Sequence, residues 1–120
     1  MSVEAGVLVG RRSRGEIDIA LSAISVVELT HGIYRAKTDG DRTRRQHFAD
    51  GVFHDLIVHP VSVEIAQLAG RIEGEQAAAG NVIAIEDLLI GATALHLGFD
   101  VASLNLKHFQ RIPGLKVCAL

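Results

Sequence analysis

The chain is expected to fold as an α/β domain, with a mostly parallel sheet covered by helices on both faces. Two observations carry that expectation. Short apolar runs alternate with longer stretches of helical periodicity along the 120 residues, which is the pattern of βαβ units. The stretch 86–98 is apolar nearly all round, as a helix in an interior layer must be. No repeat or linker divides the sequence, so residues 1–120 are read as a single domain, long enough to bury one core.

Taken in order, "VEAGVLV" (3–9) reads as the first strand, and "GRRSRGE" (10–16) punctuates it. "IDIALSAISVV" (17–27) is a second run rich in Ile and Val, after which Leu29, Ile33 and Ala36 recur at helical spacing from Glu28 onward. Asp39-Gly40-Asp41 breaks that helix, and Asp41 is the expected N-cap of the next, which continues through Phe48 and Val52. "LIVHPVS" (56–62) is a third strand. Ser62 then caps a helix whose apolar stripe is Ile65, Leu68, Ala69 and Ile72 and whose stop is Gly80. The helix 86–98 ends at Gly98, "DVAS" (100–103) is a fourth strand, and "LKVCAL" at the end is a fifth.

Composition narrows the function classes. Net charge is −2, so no global excess of positive charge announces a nucleic-acid binder, although Arg11, Arg12 and Arg14 cluster, as do Arg42, Arg44 and Arg45. These clusters are either solvated helix ends and loops or a phosphate-facing surface. No apolar run reaches the length of a membrane span and no leader precedes a cleavage site, so a cytoplasmic, soluble protein is expected. One cysteine, Cys118, leaves no internal disulfide and reads as a small hydrophobe. Six histidines are present, but none shows the His-x-x-x-His spacing of a zinc hydrolase.

The acids are the informative residues. Glu4 lies within an apolar strand, Glu28 begins a helix after the second strand, and Asp87 begins the helix before the fourth. In an open sheet, ligands sit outside the carboxyl ends of the strands, where such positions can approach one another. Three carboxylates together raise each other's pKa unless a cation neutralises them, and oxygen-only ligands suit Mg²⁺ or Mn²⁺. The bland alternative stays open from spacing alone. Asp87 or Glu86 at a helix N-terminus is favoured by the dipole by about 0.3–1 kcal/mol, and Glu28 reads equally as a first-turn acid.

Four motifs go further. "VEAGVLV" stands where one family of proteins opens with an apolar-Asp-[Thr/Ser]-[Ser/Asn]-apolar strand. "SVVELTHG" supplies Ser25, Glu28 and Gly32, and "DLLIGATA" runs from Asp87 to Ala94. "SLNLKHFQRIPGL" supplies Ser103, Asn105, Phe109, Pro113 and Gly114. With these the chain resembles PIN-domain proteins of the VapC toxin type, the ribonuclease half of a toxin–antitoxin pair, nearly end to end. The resemblance implies a three-layer α/β/α sandwich and a metal-dependent endoribonuclease acting on RNA, often tRNA or rRNA. It also implies a small antitoxin as partner and a homodimer. Glu4 and Asp87 would be the main metal-site acids and Glu28 the third, with Ser25, Ser103 and Asn105 as polar supports. Mg²⁺ or Mn²⁺ would be the cofactor.

Two positions depart from the family pattern. Glu4 stands where the family has Asp, with Ala5-Gly6 in place of its hydroxyl pair, and His108 stands where the fourth acid is found. Neutral imidazole is a poor Mg²⁺ ligand and a fair Mn²⁺ one, and a protonated His108 would suit phosphate. These departures motivate an alternative, a weakly active or inactive module whose main act is binding an antitoxin. Leu29, Ile33, Tyr34, Phe48 and Val52 would then supply a groove for a partner helix.

Overall fold

The computed structural model describes residues 6–11 and 15–119, with Arg11 given by its backbone alone. Along it run β1 (Val7–Arg11), β2 (Ile17–Ser22), α1 (Ala23–Tyr34), α2 (Asp39–Asp55), β3 (Ile57–His59), α3 (Val63–Ala78), α4 (Ile85–Leu97), β4 (Asp100–Ser103), α5 (Leu106–Gln110) and β5 (Val117–Ala119).

Ser22 decides where the second apolar run stops being a strand. Its backbone is extended and its hydroxyl accepts from the Ile24 N–H, so the chain turns helical at Ala23. The Ile/Val run therefore splits into β2 and the first turn of α1, and Glu28 falls in the second turn rather than at the helix start. Thr38, not Asp41, caps α2: its hydroxyl accepts from the Asp41 N–H, and the break between the helices lies before Asp39-Gly40-Asp41. Ser62 caps α3 as expected, accepting from the Ile65 N–H, and Gly80 follows the helix end with φ +85°.

The strand order is β3-β2-β1-β4-β5. β2 pairs parallel with β3 and β4 with β5, whereas β1 is antiparallel to both its neighbours. Four strands thus run one way and the central one runs against them. The reversal follows from chain length. Only residues 12–16 join β1 to β2, and a parallel crossover needs about a dozen residues or more. So short a link closes a hairpin, and the two strands it joins must be antiparallel.

One sheet face presents Leu8, Ala20 and Val101 to α3, α4 and α5, where Ile65, Ala69, Leu88, Ile90 and Phe109, with Ile112 just after α5, complete the main core. The other face lies under α1 and α2, giving three layers. Leu29 and Ile33 are buried there, but Tyr34 and Phe48 are exposed. An open apolar cleft of about 280 Å³ remains between sheet and helices, lined by Val9, Ile19, Leu21, Leu29, Phe48 and Val52 among others. No helix among the described residues is long and apolar enough to cross a membrane.

Gly91 shows how closely α4 is packed. A Cβ there would collide with Cδ1 of buried Ile112 and press on Leu115. Gly91→Ala is therefore expected to cost about 1–3 kcal/mol through overpacking, offset by about 1 kcal/mol of helix propensity. Ile112→Val removes the colliding methyl. In urea titrations the double variant should be more stable than the sum of the two single changes implies.

Candidate active site

β2 ends at Ser22 and β4 ends at Ser103, and β1, being reversed, begins at this same rim with Val7 opposite Ala102. Gly6 precedes it with φ +92°, and a Cβ there would press on Val101, the Ala102 carbonyl and the Phe109 ring. Only glycine fits that turn. The carbonyl of Gly6 accepts from the buried hydroxyl of Ser25 at 3.4 Å, which ties the first turn of α1 to the start of β1.

α4 delivers Asp87 to this rim. Ala84 is its N-cap and makes no side-chain capping bond, so Asp87 is the third helical residue and not the cap. Its carboxylate is 13 % exposed, with Oδ2 lying 3.2 Å from Nδ1 of His108, whose own side chain is 59 % exposed. Burial pushes the Asp87 carboxyl above its ordinary range; the charge of His108 pulls it down, Glu86 pushes it up, and the hydrogen bond from His108 pulls it down again. The net result is upward. Asp87 is therefore a carboxylate whose ionised form is poorly supported by the protein around it.

A short relay from β4 positions His108. The Ser103 hydroxyl is buried and accepts from the Asn105 N–H at 2.9 Å, turning the chain so that Asn105 becomes the N-cap of α5. Asn105 makes no side-chain capping bond and is half-buried. Its amide has no role in the helix cap. Phe109, fully buried, anchors the other side of α5.

The structure thus brings Asp87 and His108 into contact and builds the surrounding rim from Ser25, Ser103 and Asn105. Glu28 is half-buried in α1. Among the described residues no three His, Cys, Asp or Glu side chains gather as a metal-ion cluster. Glu4 lies outside the described residues. Sequence reasoning passed over Ser22, buried at this rim as the cap of α1. The signal was a serine at a strand-to-helix junction, three residues before Ser25.

The PIN domain family model matches residues 4–115. Ribonuclease VapC of Rickettsia bellii is 32% identical over 97 residues, covering 81% of this chain and 72% of the relative. The tRNA(fMet)-specific endonuclease VapC of Salmonella typhimurium is 28% identical over 106 residues, covering 88% and 80%. Among solved structures, VapBC2 from Rickettsia felis bound to a DNA fragment from its promoter superposes with a TM-score of 0.75 at 27% identity, covering 84% of this chain and 74% of that one. The rim around Asp87 is the part of the fold where the "DLLIGATA" and "SLNLKHF" segments meet. By sequence and by fold, the chain belongs to the PIN-domain family, within its VapC ribonucleases.

Proposed function

We propose that this chain is a divalent-metal-dependent endoribonuclease that hydrolyses RNA phosphodiester bonds, with tRNA or rRNA as the substrate class. The observation that carries the reading is Asp87: a mostly buried carboxylate at the carboxyl rim of the sheet, pushed toward its neutral form and neighboured by one solvent-facing histidine. The donor chemistry fits a hard cation. A carboxylate in that state gains from a dication beside it, and His108 favours Mn²⁺ over Mg²⁺ as the ion accepted. Glu4 and Asp87 would hold the ion, with Glu28 as the third acid and His108 beside Asp87.

When bound, such an ion supplies Lewis-acid polarisation of the scissile phosphate and lowers the pKa of water. The chain's own residues do the positioning. Asp87 anchors the site on a buried helix. Ser103 fixes Asn105, whose amide offers a donor to a phosphate oxygen and an acceptor to the attacking water. His108, when protonated, pairs with the phosphate backbone. The chain is proposed to act in the cytoplasm as a homodimer; the further proposal of a cognate antitoxin is supported by similar solved structures that are VapBC complexes.

A second reading rests on the Asp87–His108 contact. The imidazole occupies one carboxylate oxygen and takes the place of an acid, which lowers the negative charge of the site. The open apolar cleft under α1 and α2 gives such a weakened enzyme a surface for an antitoxin helix. His108→Asp separates the readings. It is expected to raise Mg²⁺-supported cleavage of an RNA oligonucleotide by about tenfold or more, the scale of an orienting ligand. Absence of cleavage in both forms, with Mg²⁺ or Mn²⁺, would overturn the nuclease and leave the binding module.

A further inference from the structure

We propose that the elbow between α1 and α2 is a docking platform for single-stranded RNA, with Tyr34 as a base-stacking surface and Arg35, Lys37 and Arg42 as phosphate contacts. The proposal rests on the ribonuclease reading and adds to it a substrate-binding surface apart from the acidic rim.

Charge distribution is the first observation. Residues 31–47 carry Arg35, Lys37, Arg42, Arg44 and Arg45 against Asp39 and Asp41, a net charge of +3 within a chain of net −2, so the remainder stands at −5. Apart from the Arg11, Arg12 and Arg14 cluster, this is where the positive charge of a net-acidic chain gathers, which is the electrostatic footprint of a nucleic-acid contact.

The side chains then sort by what they already do. Arg45 is structural: its Nη1 donates to the Gly32 carbonyl at 2.6 Å and fastens α2 to α1. Arg44 is paired with Asp41. Arg35, Lys37 and Arg42 are exposed and make no ion pair among the described residues. They are the cations left for a partner.

Tyr34 decides which partner. It is the last residue of α1, 68% exposed, and the Arg42 guanidinium lies 6.0 Å from its ring centroid. A solvent-facing ring beside a guanidinium is a stacking surface for a nucleobase with a phosphate contact next to it, the combination by which single strands are held without sequence readout. An acidic peptide would use the cations and leave the ring idle.

The test is fluorescence anisotropy of a labelled single-stranded RNA with the full chain in EDTA, so that binding is read without turnover, across a range of salt. Tyr34→Ala is expected to weaken binding about tenfold or more with an unchanged salt dependence. Tyr34→Phe should bind like wild type. Arg42→Ala should weaken binding and reduce the slope of log K against log salt by about 0.7. Arg71→Ala, on α3 across the sheet, is the control expected to change nothing. Wild-type affinity in both Tyr34→Ala and Arg42→Ala would overturn the platform, and metal-dependent cleavage retained in those variants would leave the ribonuclease reading standing. Platform-dependent binding without any cleavage by wild type would sustain the platform and sink the nuclease. No RNA binding by wild type, or capture of a poly-glutamate peptide through the same arginine and lysine in place of RNA, would overturn it in favour of a protein partner.

Discussion

Asp87→Asn is expected to lower RNA cleavage by at least about a hundredfold and, in the same molecule without added metal, to raise thermal stability at neutral pH. The first effect follows if Asp87 is the proposed anionic ligand, whose loss would remove several kcal/mol of charge stabilisation, each 1.4 kcal/mol being about a factor of ten. The second follows from burial. The Asp87 carboxyl is raised above its ordinary value of 3.8, with desolvation as the leading cause and His108 opposing it. A carboxyl that binds its proton more tightly in the folded than in the unfolded chain contributes fully to stability below the unfolded pKa. That contribution is lost as pH rises through the folded value. At pH 7 the ionised group is a net burden, and an amide of the same shape removes it. The gain in melting temperature should therefore be present at pH 7 and shrink toward nothing near pH 3. Loss of stability on substitution at pH 7 would mean that the His108 pairing outweighs burial, and the account of Asp87 as a strained ligand would fail. A site that costs stability when empty is a common mark of function.

Phe109→Ala is expected to cost about 3–5 kcal/mol in urea denaturation, the range for deleting a fully buried aromatic ring. Phe109 is 0% exposed and belongs to the main core with Leu88, Val101 and Ile112. Its ring also lies beneath Gly6, within 3.4 Å of where a Cβ would stand. The ring therefore supports two pieces of the rim at once, the start of β1 and the helix that carries His108. Leucine, which fills part of the volume, should cost much less than alanine. If alanine costs below about 1 kcal/mol, the site has collapsed onto the gap and α5 does not depend on this anchor.

Much of the architecture was legible from local chemistry. "DVAS" is β4 from its first residue to its last, Ser62 caps α3, and of the stripe Ile65, Leu68, Ala69 and Ile72 all are buried but Leu68, which is half-buried. Local chemistry was silent where the decision was not local. The reversal of β1 depends on the length of the link after it, not on any residue in it. Thr38 and Asp41 are both good caps, and the chain resolves the tie by placing Asp41 inside the first turn with its N–H bonded to Thr38. α5 is too short for periodicity to reveal. At the site, the motifs marked Asp87 and His108 separately, 21 positions apart, and only the fold shows them in contact. Convergence of the acids was the harder inference, because Glu28 sits a turn deeper in α1 than its sequence context suggested.

The reversed central strand makes the sheet two leaves sewn along one seam. β2 with β3 and β4 with β5 are separate parallel pairs, and only β1 joins them. On one side its stitches are near in sequence, Leu8 to Ala20; on the other they span most of the chain, Leu8 to Val101. Closing so long a loop carries an entropic cost that the β1–β2 hairpin does not, so the β1–β4 stitch is expected to form after the hairpin. Were that seam to open, it would bare two strand edges able to pair with another chain.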